Sequence, residues 1–250
     1  MIICNSNNFA VTRAQKTGGT SLELYILESG LVDYTNDIYT LEGGFNTWEE
    51  FKAYSDAHGN LKYTELPRNL WGYDSLAEAQ VTFAELVERG QVAPDMPCIG
   101  AVRHPLEWLA SLYYYANERR KKVAANHLKR FGQYTAQDIA DAANMSEPDA
   151  SFEYCFYVIN ETPGVITSLK PQTSYYPDHA QLFNIENIHE HVTDFITAKG
   201  GSVPERIEAR KSNNDPTYYL ENLSEDRKKL ALEWYEKDLI AWEKAYAVYN

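Results

Sequence analysis

The sequence predicts an α/β fold with a mainly parallel central sheet flanked by helices on both faces. Two observations lead to this prediction. Short apolar runs are followed by a turn and then by a helix-like segment, and this order occurs three times along the chain; glycine or proline marks the turn in the first two cases. Repeated strand-then-helix units favour parallel strands covered by helices, with ligand sites at the carboxyl ends of the strands.

The first strand-helix unit lies near the start of the chain. Phe9–Arg13 is short, apolar and partly β-branched, which predicts a strand, and a glycine-containing loop follows it. Leu22, Tyr25 and Ile26 then follow helical spacing, and Gly30 is suited to a helix end. Apolar residues on the opposite side of this helix predict that it is buried on both sides.

Two further units and a helical C-terminal region follow. Cys98–Val102 is a second apolar run, and Pro105 is well placed to open a helix. Gln181–Ile185 predicts a third strand, followed by a helix over Glu190–Lys199 in which the histidines are expected on a polar face. Ser224–Tyr249 begins with a good N-cap residue and predicts one docked amphipathic helix or a bent pair.

Length and composition predict one folded domain over residues 1–250. The chain is 44% hydrophobic and 24% charged, which is ordinary for a globular protein. Cys4, Cys98 and Cys155 form no CxxC pair, so we expect buried apolar thiols rather than a disulfide framework, and no metal site is predicted.

Charge and hydropathy bear on partners and location. The 23 Lys+Arg against 36 Asp+Glu give a net charge of −13, which opposes nonspecific binding to nucleic acid or to an anionic membrane. The chain lacks the run of about 20 apolar residues that crosses a bilayer, and Met1–Ala10 lacks a signal-peptide layout. We therefore expect a cytoplasmic protein that binds neither nucleic acid nor membrane, and the oligomeric state stays open.

The loop between the first strand and helix predicts an anion site. Gly18 and Gly19 let the backbone turn tightly, so that N–H groups and the helix N-terminus converge, while Lys16 adds a positive charge. Thr20 and Ser21 add hydroxyl groups. The loop is not a Walker A motif, because its lysine precedes both glycines. The alternative is an ordinary glycine-rich turn with a solvated lysine.

A second anion-binding pair is predicted after the second strand. Arg103 ends that strand, and Ser111 lies on the following helix, away from the apolar stripe formed by Leu106, Leu109, Ala110 and Tyr113. A guanidinium with a neighbouring hydroxyl can clamp a phosphate. The alternative is an arginine that pairs with a carboxylate.

Together these motifs resemble the PAPS-dependent sulfotransferases of the carbohydrate type, similar to heparan sulfate 2-O-sulfotransferase enzymes. PAPS is 3′-phosphoadenosine 5′-phosphosulfate. The family's first loop has the form Arg-x-x-Lys-Thr-x-x-Thr-Ser, and the matching residues here are Arg13, Lys16, Thr17, Thr20 and Ser21. Its second motif is Val-Arg-x-Pro with a serine on the next helix, and it matches Val102, Arg103, Pro105 and Ser111. Lys170–Ser174 and Ala209–Asn214 resemble further segments of these enzymes.

The resemblance implies a P-loop-like fold and transfer of a sulfuryl group from PAPS to a hydroxyl or amine, leaving adenosine 3′,5′-bisphosphate. It implies that Lys16 stabilises the leaving oxygen and that Gly18, Gly19 and Thr20 hold the 5′-phosphate, supported by Arg13, Thr17 and Ser21. Arg103 and Ser111 would bind the 3′-phosphate, and a basic loop containing Arg210 and Lys211 would close over the nucleotide. The acceptor is expected to be a carbohydrate or another hydroxylated molecule, with variable acceptor-side segments near 31–95 and 116–150.

The catalytic base is where the chain departs from its relatives. Many of them carry a histidine where Gln80 stands here, and glutamine is not a base near neutral pH. His58 and Glu42 are the candidate replacements, with Glu78 a third. Each is also compatible with an ordinary polar surface position.

Two other functions stay open. A nucleotide-dependent kinase of P-loop type would bind Mg-ATP, and a non-catalytic relative would bind nucleotide or glycan without turnover. A cationic run from Arg119 to Arg130 is either a solvated helix face or a landing site for an acidic acceptor.

Overall fold

A computed structural model describes residues 1–33, 37–39, 53, 56–57, 81–112, 170–205 and 217–249. The chain divides into two compact units. The first comprises Met1–Arg103, Pro171–Lys211 and Ile240–Asn250, and the second comprises His104–Lys170 and Ser212–Leu239. The single domain expected over 1–250 stays a prediction, and the segment 116–150 lies outside the described residues.

The described part of the first unit contains a five-stranded sheet. Its strands are β1 (Ile2–Cys4), β2 (Phe9–Val11), β3 (Ile38–Tyr39), β4 (Cys98–Val102) and β5 (Gln181–Asn184). They lie in the order β3-β1-β2-β4-β5. The β2–β4 and β4–β5 pairs are parallel, whereas β1 is antiparallel to both β2 and β3. Four strands therefore run in one direction and β1 in the other, which confirms a mainly parallel α/β sheet.

Helices follow the strands as the glycine and proline signals predict. Those described are α1 (Gly19–Glu28), α2 (Phe83–Glu88), α3 (described over 105–112), a 3₁₀ helix (Gln172–Tyr175), α4 (Ile188–Ala198), α5 (Thr217–Asn222), α6 (Glu225–Trp234) and α7 (Glu236–Tyr246). The C-terminal region is the bent pair, because α6 and α7 are separate helices that meet at Tyr235. Over the described ranges, none of the helices has both the length and the apolar character needed to span a bilayer.

The sheet of the first unit carries helices on both faces, as predicted. On one face, alternate strand residues such as Phe9 and Phe183 pack against α1 and α4. On the other face, Ala10 and Cys98 pack against α2, while Val102 packs near the 3₁₀ helix. All residues of α1 from Ser21 to Leu27 are buried, which confirms that this helix is covered on both sides.

The second unit has a core of its own. Trp108 on α3 is fully buried, and its ring meets that of Tyr235 edge-on at 5.1 Å. The predicted apolar stripe of α3 is therefore incomplete, because Trp108 and Leu112 are buried together with Leu109 and Ala110. Leu106 is only partly buried.

Two of the three cysteines are described, and both are buried and free. Burial raises the pKa of the Cys98 thiol to about 11, so the thiol stays protonated and packs as an apolar group. This confirms the expectation for Cys4 and Cys98, while Cys155 lies outside the described residues.

His191 on α4 does not lie on a polar face as expected. Its ring stacks on Phe183 at 5.3 Å and meets the ring of Tyr249 edge-on at 4.6 Å, and its buried Nε2 atom has no hydrogen-bond partner among the described residues. The hydroxyl of Tyr249 donates to Asp194, one turn further along α4. His191 therefore helps to hold the C-terminal segment against α4.

The environment of His191 predicts a pH-dependent stability. Burial lowers the pKa of His191 from its ordinary value of 6.5, opposed by the Ala245 carbonyl and by the carboxylates of Asp194 and Glu190. The His191 imidazole therefore binds a proton more weakly in the folded protein than in the unfolded chain. The stability contributed by the neutral, buried ring is present above about pH 6.5 and is lost as the pH falls below that value.

We expect the free energy of unfolding to fall more steeply between about pH 7 and pH 5 in the wild type than in His191→Phe, which keeps a ring without a titrating nitrogen. Urea unfolding at each pH measures this difference. His179→Gln is the control, because His179 is exposed. Parallel pH profiles for the wild type and His191→Phe would contradict the expectation.

Candidate functional site

The two predicted anion loops leave the same edge of the sheet. Strands β2 and β4 are parallel neighbours, with Ala10 paired to Cys98 and Val11 paired to Ile99. The loop that begins at Arg13 and the turn that begins at Arg103 therefore start at the carboxyl ends of adjacent strands. This is the edge at which ligands bind in open α/β sheets.

Two residues of the first loop take the left-handed conformation, which is common in anion-binding turns. Lys16 has φ 65° and Gly18 has φ 83°, so two left-handed residues flank Thr17. Alternation of left-handed and right-handed residues turns successive N–H groups toward one point. Helix α1 begins at Gly19, directly after this turn, and its first amides have no partner within the helix.

Both glycines of the loop are required by close contacts. A Cβ atom at position 18 would lie 2.9 Å from Ile185 Cδ1, in addition to the unfavourable left-handed φ. A Cβ atom at position 19 would lie 2.6 Å from the Cβ of Arg13. The loop is thus packed between its own strand and the end of β5, which fixes the direction of its amides.

The hydroxyl groups of the loop have different roles. The fully buried Thr17 donates to the carbonyl of Ala14 at 3.0 Å, which holds the turn closed. The hydroxyl of Thr20 accepts a hydrogen bond from Arg13 at 3.1 Å, so its own proton can be donated elsewhere. The backbone N–H of Ser21 donates to the carbonyl of Gly18 at 2.9 Å. Thr20 is therefore the better placed of the two threonines to donate to a ligand.

Arg13 acts on the loop from the protein interior. It is 5% exposed, and its guanidinium donates to Glu23 at 2.9 Å as well as to Thr20. The buried carboxylate of Glu23 also forms an ion pair with the N-terminal amine of Met1. Arg13 thus links the loop to Glu23 of α1. It also orients the hydroxyl of Thr20 for a ligand.

Gln172 braces the second turn. Its side chain is fully buried, and its amide makes two hydrogen bonds to Arg103: Oε1 accepts from the backbone N–H and Nε2 donates to the backbone carbonyl, both at 2.9 Å. These bonds fix the backbone at the point where β4 ends. The side chain of Arg103 is half-buried and leaves from this fixed position.

Tyr176 joins the two turns. Its buried hydroxyl accepts from the N–H of Ala14 at 3.1 Å and donates to the carbonyl of Ala101 at 2.7 Å. Its ring covers Gly100, where a Cβ atom would lie 2.1 Å from Tyr176 Cε1. Burial raises the pKa of this phenol far above its ordinary value, so its proton stays in place for the bond to Ala101.

The structure brings together most of the predicted nucleotide-binding residues of the first loop. Arg13, Lys16, Thr17, Gly18, Gly19, Thr20 and Ser21 all belong to one turn and the start of α1. Arg103 starts from the neighbouring strand end, and Ser111 is a half-buried residue of α3 in the second unit. The clamp formed by Arg103 and Ser111 stays a prediction. His58, Glu42, Glu78, Gln80, Arg210 and Lys211 lie outside the described residues.

The roles of Gln172 and Tyr176 were not predicted from the sequence. The family resemblance covers Lys170–Ser174 without assigning a role to Gln172, and it does not reach Tyr176. The sequence shows a glutamine within a Pro-Gln-Thr-Ser-Tyr-Tyr segment that leads into a strand. This pattern does not indicate which backbone groups the side chains bind.

The site can bind an anion through fixed donors. The converging amides, the N-terminus of α1 and the charge of Lys16 all favour a negative group at the mouth of the first loop. Because neither Gly18 nor Gly19 carries a side chain, Ile185 and Arg13 pack directly against the backbone of the loop.

We expect Gln172→Leu to lower the free energy of unfolding by about 2 kcal/mol or more, because it removes both hydrogen bonds that the fully buried Gln172 side chain makes to the backbone of Arg103. Denaturant unfolding measures the loss. The matched control is Ser174→Ala, which removes an exposed hydrogen bond from the same 3₁₀ helix. Equal stabilities of the two variants would show that Gln172 does not brace the turn.

Comparisons with known proteins leave the family open: no protein-family model, no curated protein and no solved structure matches this chain.

Proposed function

We propose that the chain is a sulfotransferase that moves a sulfuryl group from PAPS to a hydroxyl or amine of an acceptor such as a carbohydrate. The observation that supports this most is the loop before α1, in which Lys16 and Gly18 take left-handed conformations and the backbone leads directly into the N-terminus of α1. Arg103, at the end of the adjacent parallel strand, supplies a second cation at the same edge for the 3′-phosphate.

Each loop residue has a defined part in the proposed reaction. PAPS supplies an activated sulfuryl group whose transfer leaves negative charge on the bridging phosphate oxygen. The ammonium group of Lys16 donates a hydrogen bond to that oxygen. The backbone N–H groups hold the 5′-phosphate so that the sulfuryl group is in line with the acceptor. Thr20, oriented by Arg13, adds a hydroxyl donor. The acceptor proton passes to a base, for which His58 and Glu42 are the candidates.

The position of the lysine favours this proposal over a kinase of P-loop type. A Walker A loop places its lysine directly after the final glycine, where it reaches the β- and γ-phosphates. Here Thr20 follows Gly19, while Lys16 precedes both glycines and takes the left-handed conformation. The lysine therefore lies before the glycines, on the β2 side of the turn, rather than at the start of the helix.

Calorimetry tests the proposed donor. We expect adenosine 3′,5′-bisphosphate to bind at one site without added metal, and Arg103→Ala to weaken it far more than it weakens adenosine 5′-phosphosulfate, which lacks the 3′-phosphate. Binding of Mg-ATP with no response to the bisphosphate would contradict the proposal and support a kinase. Tight binding of the bisphosphate with no transfer of ³⁵S to any acceptor would support a non-catalytic relative.

We expect Lys16→Gly to reduce sulfuryl transfer at least about 100-fold, the loss typical when a charge-stabilising donor is removed. Glycine accepts the left-handed φ of this position, so the variant removes the charge without straining the loop. Transfer of ³⁵S from labelled PAPS measures the rate, and thermal unfolding checks the fold. Lys170→Ala, at an exposed lysine, is the control. An unchanged rate in Lys16→Gly would remove Lys16 from the mechanism.

A further inference from the structure

Helix α7 presents a pair of stacked aromatic rings near its end. The rings of Trp242 and Tyr246 lie 4.9 Å apart at an interplanar angle of 26°, as expected for residues four apart on one helix face. Tyr246 is 37% exposed, whereas Ala245 beside it is buried. The carbonyl of Ala245 accepts a hydrogen bond from Asn184 Nδ2 at 3.1 Å, so this part of α7 is fixed to the end of β5.

A carboxylate adjoins this aromatic pair. Glu186 follows β5 by two residues, and its Oε2 accepts a hydrogen bond from the indole Nε1–H of Trp242 at 3.2 Å. An ionised carboxylate has about four acceptor sites. The exposed position of Glu186 leaves the carboxylate accessible from solvent.

The aromatic pair and Glu186 lie at the same edge of the sheet as the anion loop. A Cβ atom added at Gly18, in the anion loop, would lie 2.9 Å from Cδ1 of Ile185, the residue before Glu186. Trp242 packs against the apolar cluster that contains Ala14, at the start of the loop, and Val102, at the end of β4.

We infer that Trp242, Tyr246 and Glu186 form a subsite for an uncharged sugar ring of the acceptor. One face of a pyranose carries C–H bonds and packs on an aromatic ring, while its hydroxyl groups donate to a carboxylate. Aromatic surface with a few fixed polar groups is the usual composition of a small-molecule site. The carboxylate of Glu186 and the net charge of −13 oppose a uronic acid or a sulfated ring. This inference rests on the proposed function and specifies its acceptor.

Nuclear magnetic resonance can observe this subsite directly. The chain has five tryptophans, and the indole N–H signal of Trp242 is the one that disappears in Trp242→Phe. We expect this signal to shift when cellotetraose, chitotetraose or galactotetraose is added, and Tyr246→Ala to weaken the binding at least five-fold. Tyr246 is the last residue of α7, so its truncation leaves the helix in place. Tyr218→Ala is the control, since Tyr218 is 47% exposed and belongs to α5.

Three results would overturn the subsite: no shift with any of the three sugars, equal affinities of the wild type and Tyr246→Ala, or tighter binding of a heparin tetrasaccharide than of the neutral sugars. Adenosine 3′,5′-bisphosphate is titrated into the same samples. Nucleotide binding without sugar binding would reject the subsite and leave the proposed donor standing. Sugar binding without nucleotide binding would keep the subsite and reject the donor.

Discussion

The hydroxyl of Tyr176 makes the hydrogen bonds on which the arrangement of the site depends. It accepts from Ala14, where the first anion loop begins, and donates to Ala101, near the end of β4. Because both bonds are buried, loss of the phenol would leave two backbone groups unpaired in the interior, at a cost on the order of 1–3 kcal/mol each. Gln172 continues the same short segment and fixes Arg103. One 3₁₀ helix and the residue after it thus hold the starting points of both loops.

The protein is strongly acidic, yet the candidate site is suited to an anion. The two are compatible because most donors of the site are backbone amides rather than charged side chains. Long-range attraction of a phosphate is not expected at a net charge of −13. The amides of the loop and the first turn of α1 act only at short range, and they are aligned before a ligand arrives. Selectivity then comes from close contact with a correctly shaped anion, which suits a small nucleotide better than a polyanion.

The parts of the structure that depend on local signals could be predicted from the sequence. Glycines after an apolar run located the loop and the start of α1, and Pro105 located the start of α3 within the described residues. Strands β1 and β3 were not predicted; they have three and two residues and are defined by antiparallel pairing, β1 with β2 and β3 with β1. The roles of Gln172 and Tyr176 were missed for the same reason, since their partners are backbone atoms 69 to 162 residues away.

The contact between Gly100 and the ring of Tyr176 links the permitted residues at two distant positions of the chain. Any side chain at position 100 would overlap the aromatic ring, since even the first carbon would lie 2.1 Å from it. A homologue with a larger residue there must replace the tyrosine by something smaller, and it then loses the phenol that joins Ala14 to Ala101. A glycine within a buried strand, paired with a downstream tyrosine, is therefore a two-position signature by which proteins with this same braced loop can be recognised.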